Sequence, residues 1–439
     1  VLFRSLMEKL DYPAYGRELY KTTLANGLKI NLLPMPDYHK TYAILTTDFG
    51  SVDNTFVIDG QQQTVPNGVA HFLEHKLFEK ADHDAFDLFG VLGADANAFT
   101  SFTQTSYLFS TTAHLHESLD VLLDFVFDPY FTEQTVDKEK GIIGQEIRMY
   151  ADSPDNRLYM GTLGNLYPED PVKIDIAGSE DSIAKITPEL LYQIHRTFYQ
   201  PGNMNLFVVG NLEPDRVVEW VQANQTLANW PAAPLPVHTF APVDPQASDV
   251  VPFATLEMPV ARPKAMIGLR GISDFESGQE RLRFVQAIGM ALELLFDDTS
   301  ENYLRMYNEE VLDDSFGFGL EIERGFHFAT FASETNRPEA FADAIIDILR
   351  RAPGELDAAR DQFEAIKRGQ VGRLVACLDS PEQIANRFSG HLFDQATIFD
   401  ELASLESITF ADLQNAVAQL IVPQRLSAFF VLPEGKQEV

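Results

Sequence analysis

Residues 71–80 read HFLEHKLFEK. Two histidines stand four apart, with a glutamate immediately before the second. On a helix the positions i, i+3 and i+4 share one face, so His71, Glu74 and His75 would converge. Val69, Leu73 and Leu77 fall on another face, suited to packing. Asn67, just upstream, is a candidate helix cap. Two imidazoles at this spacing can both reach one ion about 2 Å away, as zinc-binding helices do. A carboxylate beside them that is not itself a ligand can take a proton from water activated by the metal. H-x-x-E-H is the inverzincin order of these residues. The same decamer can also be a helix carrying two surface histidines, so the rest of the chain decides.

A catalytic zinc site takes a third protein ligand and leaves one position open. TVDKEKGIIGQEIRMYAD, residues 135–152, is a candidate source. Val136, Ile143, Ile147 and Tyr150 form an apolar stripe at helical spacing. Glu139 and Glu146 lie two turns apart on one shared face. Glu146 sits among Gly141, Ile142, Ile143 and Ile147, where a bare carboxylate is costly unless paired or bound to a metal. The alternative is a pair of solvent-facing glutamates, which is common on helices.

With 33 basic and 65 acidic residues, the chain carries a formal charge of −32. Such a surface repels nucleic acid and anionic membranes, so neither is expected as a partner. No run of 18 apolar residues suggests a transmembrane helix. The opening VLFRSLMEKLDYP lacks the basic-then-apolar order of a secretory signal. A single cysteine, Cys377, excludes an internal disulfide framework and fits a reducing cytoplasm, and its apolar helical setting reads as core. His83, His114 and His116 lack ligand partners at useful spacing. His195 and Tyr199 precede a proline turn and read as packing or local hydrogen bonding.

The 439 residues suit two to four domains. NWPAAPLPVHTFAPVDPQ, residues 229–246, is proline-rich and without helical period, and reads as an extended linker between 1–228 and 247–439. The two parts look alike. Strand-like GLKINLLPMP and KTYAILTTDFG open the first; ATLEMPV and KAMIGLRG open the second. Each closes with a proline turn and an apolar strand, PGNMNLFVVGN and PQRLSAFFVLPEG. Helical segments such as HESLDVLLDFVFD and FADAIIDILRRA lie between. The pattern predicts an α+β fold made of a duplicated unit, each half a sheet covered by helices.

HFLEH followed about seventy residues later by GIIGQEIRMY resembles the M16 (pitrilysin, insulysin and mitochondrial processing peptidase) family of zinc peptidases, in its short bacterial YmfH-like branch. HRTFYQPGNMNLFVVGNLEPD, residues 195–215, is similar to the strand that closes the family's first domain. SENYLRMYNEEVLDDSFGF resembles the matching stretch of the second half. The resemblance implies two homologous α/β domains of the M16/LuxS-like metallohydrolase architecture, each an antiparallel-rich sheet packed with helices, together half of a clamshell. It implies Zn2+ held by His71, His75 and Glu146 in the first domain, Glu74 as general base and Glu139 assisting from the outer shell. The second domain would hold no metal. The activity implied is that of a metalloendopeptidase.

NAFTSFTQTSYLF, residues 97–109, is similar to the family's edge-strand segment that pairs with substrate backbone. Thr100, Thr103, Thr105 and Tyr107 make it β-prone, and a sheet edge offers unpaired N–H and C=O groups to an extended peptide. Asn97 carries an amide able to bond a peptide carbonyl, or is a turn residue after GAD. Ala98 is small enough for close approach. Phe99 lines a pocket or packs in the core.

Many members of the family carry an Arg and a Tyr in the second half that hold substrate near the zinc. Here Asn308, followed by Glu309 and Glu310, takes the place of the Arg, and Asp313, Asp314, Ser315 and Phe316 that of the Tyr. Arg305 and Tyr307 are nearby at the wrong spacing and read as helix surface and packing. A missing oxyanion-stabilising group weakens transition-state binding by several kcal/mol. Short M16 chains function as dimers around an enclosed chamber. The resemblance therefore implies a homologous partner subunit that supplies the Arg/Tyr pair, in a heterodimer, or else a homodimer. The alternative is a non-catalytic or weakly active assembly subunit, and a small-molecule metallohydrolase on a similar fold is a third possibility.

Overall fold

The computed structural model describes residues 7–239, 250–271, 275, 277–391 and 396–435. The first six residues, and residues 240–246 of the proline-rich stretch, lie outside the described residues. The described residues divide between two compact units. The first falls within 1–147, 176–239 and 375–399, the second within 148–175, 240–374 and 400–439.

The first unit is built on the strands β1 (Glu8–Tyr12), β2 (Arg17–Thr23), β3 (Lys29–Pro34), β4 (Thr41–Thr47), β5 (Thr55–Ile58), β6 (Gln61–Thr64), β7 (Asp95–Thr100), β8 (Thr105–Thr111), β9 (Met204–Gly210) and β10 (Val237–His238). Seven of them form one sheet in the order β1-β2-β3-β9-β4-β8-β7, and β10, β5 and β6 form a small second sheet. Val237 and His238 pair with Val57 and Phe56, so part of the expected linker is strand. β4 (TYAILTT) and β9 (MNLFVVG) are buried along their whole length, as strands covered on both faces are. Helix Pro381–His391, far downstream in sequence, supplies one cover: Phe388 stacks on Phe207 of β9 with ring centroids 4.3 Å apart. The helices α1 (Val69–Phe78), α2 (Ala85–Leu92), α3 (Leu115–Phe127) and α4 (Glu133–Ala151) complete the part of this unit that matters for function. α3 buries Leu119, Leu122, Leu123 and Val126, an i, i+3, i+4, i+7 stripe.

The second unit carries β11 (Phe253–Met258), β12 (Lys264–Arg270), β13 (Gly317–Glu323), β14 (Phe326–Glu334) and β15 (Leu426–Pro433), in the order β11-β15-β12-β14-β13. β11 and β15 run parallel; β15, β12, β14 and β13 follow antiparallel. The first unit repeats this arrangement in β3-β9-β4-β8-β7, with β3 and β9 parallel and the rest antiparallel. In each unit the last strand of the five in chain order inserts between the first and the second. Two strand sets with the same order and the same pattern of directions bear out the duplicated α+β unit.

Several local expectations change. NAFTSFTQTSYLF is a hairpin rather than one edge strand. β7 alone lies at the sheet edge, and β8 is interior, between β7 and β4. The reversal falls at 101–104, where Ser101 N donates to Gln104 O at 2.8 Å. Asn97 therefore lies in a strand and not in a turn. Asn67 does not cap α1: its Oδ1 accepts from Asn54 Nδ2 at 2.8 Å. Gly68 stands at the cap, with φ 84. A Cβ there would lie 2.3 Å from Ala177 O, so only glycine fits. On α4 the apolar stripe stops at Ile147, because Tyr150 is exposed. Cys377 ends helix Phe363–Cys377 half-buried rather than in the core.

Candidate metal centre

The helix of the H-x-x-E-H motif is not a surface helix. In α1, Phe72, Leu73 and Leu77 have no exposure, and His71 and Glu74 are buried as well. The surface-histidine reading thus fails for His71, while His75 keeps 29% of its side chain exposed. α4 lies opposite. One ligand atom each from His71, His75 and Glu146 falls within 4.8 Å of the others, and no other such cluster occurs among the described residues. His71 Nε2 is 3.6 Å from Glu146 Oε1, and His75 Nε2 is 3.8 Å from Glu146 Oε2. Ligands of a tetrahedral zinc at 2.0–2.1 Å stand about 3.3 Å apart, and each of these two separations is within about 0.5 Å of that. Two imidazole nitrogens and one carboxylate are a donor set that suits zinc and leaves a position open. The residues present fit the metal.

Glu139 stands behind His75. His75 Nδ1 and Glu139 Oε1 are 3.1 Å apart, and Glu139 is buried. This bond places the ring proton on Nδ1 and turns Nε2 towards Glu146. His71 has no counterpart: its Nδ1 is buried without a hydrogen-bond partner. The solvent-facing reading of the two glutamates fails for Glu139, while Glu146 keeps 23% of its side chain exposed. Nor is its apolar surround closed, because Ile142 points away from the packed face of α4 and is exposed.

The electrostatics favour a cation. Burial, and then the neighbouring His75, push the His71 imidazole down to about 3, which keeps it neutral with a lone pair available. Burial alone would lower His75 too. The hydrogen bond to Glu139 and the charges of Glu74, Glu139 and Glu146 outweigh it and hold His75 above its usual value. Burial raises Glu74, against the hydrogen bond from Thr100 and the charge of His75. Three carboxylates gathered in a largely buried site are unfavourable without a positive charge to offset them.

Glu74 has a partner that spacing did not suggest. Thr100 Oγ1, at the end of β7, donates to Glu74 Oε2 at 2.6 Å. A pair of hydroxyls is also buried: Tyr107 and Tyr199 meet at 2.7 Å, both without exposure. Nothing in sequence spacing links these positions; the packing of helices on the sheet does.

Of the expected peptide-binding residues, Asn97 is exposed on the edge strand, and its Oδ1 accepts from Ala98 N at 2.8 Å. Ala98 and Phe99 are half-buried and pair with Tyr107 and Ser106 of β8. His195 Nε2 donates to Val126 O at 2.7 Å, and the ring stacks on Tyr199. His83 pairs with Asp82, and His116 stacks on Trp220 with ring centroids 4.6 Å apart. In the second unit, Arg305 donates to Asn302 Oδ1 at 3.1 Å and Tyr307 stacks on Tyr303, local helix contacts both. Asp313 pairs with Arg262 at 2.7 Å.

Residues 61–180 match the model of insulinase (peptidase family M16), and residues 185–369 that of the peptidase M16 inactive domain. YmfH, an uncharacterized zinc protease of Bacillus subtilis (strain 168), is 43% identical over 432 residues, 98% of this chain and 100% of that protein. YmxG, an uncharacterized zinc protease of the same organism, is 32% identical over 151 residues, 33% of this chain and 37% of that protein. The crystal structure of an M16-like peptidase from Alicyclobacillus acidocaldarius is similar at a TM-score of 0.89 and 31% identity, covering 97% of this chain and 100% of that one. A protease of Helicobacter pylori shares the fold, with a TM-score of 0.80 at 20% identity over 98% of this chain and 100% of that one. Likeness over the full length of both chains, in sequence and in fold, settles the family: this chain belongs to peptidase family M16.

Proposed function

We propose that the chain is a zinc-dependent endopeptidase that hydrolyses extended peptides, acting as the zinc-bearing subunit of a dimer. The observation that carries this reading is the convergence of His71, His75 and Glu146 beside a buried Glu74. Its relatives of known name are called zinc proteases. The chemistry supplied by bound zinc is Lewis acidity towards a peptide carbonyl and towards water.

The chain's own residues do the rest. His71 and His75 would each offer a ring nitrogen and Glu146 a carboxylate, and Glu139 orients His75. Glu74 Oε1 takes a proton from the attacking water and then gives it to the departing amine, as a general base that turns general acid. The free edge of β7 receives the peptide as an added strand, with main-chain hydrogen bonds that do not depend on side-chain identity. Asn97, Ala98 and Phe99 lie on that strand.

Asn308 and the 313–316 segment lack the Arg and Tyr that hold substrate in many relatives. A homologous partner subunit that carries the pair completes the substrate clamp; a homodimer would work without it. The test is turnover of a fluorogenic peptide by the purified chain alone and with candidate M16-like partner chains, before and after chelation. The reading predicts activity that is lost on chelation, restored by zinc and raised by the partner. Full activity of the chain alone, with no gain from any partner, would sink the heterodimer and leave the homodimer. Zinc bound with no cleavage in either pairing would favour the non-catalytic assembly subunit.

A further inference from the structure

We infer that Thr100 is a positioning residue that holds the Glu74 carboxylate in its working orientation. The inference rests on the reading of Glu74 as general base. Glu74 is 8% exposed, and its hydrogen bond among the described residues comes from Thr100 Oγ1 at 2.6 Å. A threonine hydroxyl has one proton, and here Oε2 receives it, which leaves Oε1 of the same carboxylate for water. A hydrogen bond to a charged acceptor is among the stronger ones and restricts the carboxylate's rotation.

Thr100 is itself held. It is the last residue of β7 and lies opposite Thr105 in the β7–β8 register. Thr105 Oγ1 is 3.4 Å from Thr100 Oγ1 and spends its own proton on Phe49 O at 2.9 Å. Thr105 has no exposure, so this backing is rigid. Branching at Cβ restricts χ1 of Thr100 further and fixes the direction in which its hydroxyl points. Glu74 reaches the site from a helix. Thr100 reaches it from the strand that offers its edge to peptide. The bond between them sets the proton-transfer group relative to the strand on which a substrate would lie.

The test uses the full chain with zinc bound and its partner present, in three variants: Thr100→Val, Thr100→Ser and Thr100→Val combined with Glu74→Gln. Thr100→Val keeps the shape and removes the donor. It should lower kcat roughly 10- to 100-fold, the usual worth of a charge-assisted hydrogen bond. KM, zinc content and unfolding temperature should stay at wild-type values. Thr100→Ser should restore kcat to within about threefold, since the donor returns. In the Glu74→Gln background the Val substitution should cost nothing more, because both act through one group. A crystal structure of Thr100→Val should show the Glu74 carboxylate turned from its wild-type position. Wild-type kcat in Thr100→Val, a loss that multiplies with that of Glu74→Gln, or an unmoved Glu74 would overturn the inference while leaving the peptidase reading intact. A wild-type chain that holds zinc and cleaves no peptide in any pairing would remove both.

Discussion

His75 faces two carboxylates at once: its Nδ1 lies 3.1 Å from Glu139 Oε1 and its Nε2 lies 3.8 Å from Glu146 Oε2. One nitrogen is tied back while the other is presented. Outer partners of this type typically matter 10- to 100-fold to metal affinity or activity. Glu139→Ala should therefore weaken zinc binding by about that factor, read by competition against a chromogenic chelator. Glu139→Gln keeps an acceptor without its charge and should lose less. Equal affinity in wild type and Glu139→Ala would deny Glu139 its orienting role.

The start of the metal helix depends on one glycine. Gly68 has φ 84, and an added Cβ would press on Ala177 O. Gly68→Ala should cost at least about 1–2 kcal/mol, the penalty of the left-handed region for a side chain. It should also loosen α1 and with it the zinc. Denaturant unfolding with and without zinc measures both effects. Unchanged stability would mean that the loop at 176–178 yields without cost.

A third prediction concerns pH. His238 Nδ1 is 2.7 Å from Asp53 Oδ1, and its Nε2 is 3.3 Å from Asp48 Oδ2. Burial alone would lower its pKa, but the hydrogen bonds and charges of Asp48 and Asp53 outweigh it and raise it to about 9. A folded-state pKa above the unfolded 6.5 stabilises the fold while the ring is protonated. That contribution, of order 3 kcal/mol, is fully present below pH about 6.5 and fades as pH rises through about 9. The stability difference between wild type and His238→Gln should thus be large at pH 6 and nearly gone at pH 10. A difference that does not change with pH would show that the pair with Asp53 is not ionic.

Much of this was legible in the sequence because the relevant geometry is local. His71, Glu74 and His75 on one helix face, and Glu139 with Glu146 two turns apart on another, follow from the helical repeat alone. The strands at GLKINLLPMP, KTYAILTTDFG, KAMIGLRG and the two closing segments follow from apolar runs between turn residues. What stayed hidden depends on long-range pairing. Thr100 meets Glu74 only because β7 packs against α1. The hairpin at 101–104 was unreadable because SFTQ carries no glycine or proline to mark a turn. Helix Pro381–His391 shows an amphipathic pattern, but nothing in its sequence says that Phe388 covers Phe207 of the first sheet.

The most direct test of the central claim is peptide turnover by zinc-loaded wild type and Glu74→Gln, at equal zinc content and with the partner subunit present. Glu74→Gln should bind zinc as wild type does and lose about 100- to 10,000-fold in kcat, the usual worth of a general acid–base group. Undiminished turnover by Glu74→Gln would contradict the account, as would a zinc-loaded wild type that cleaves no peptide.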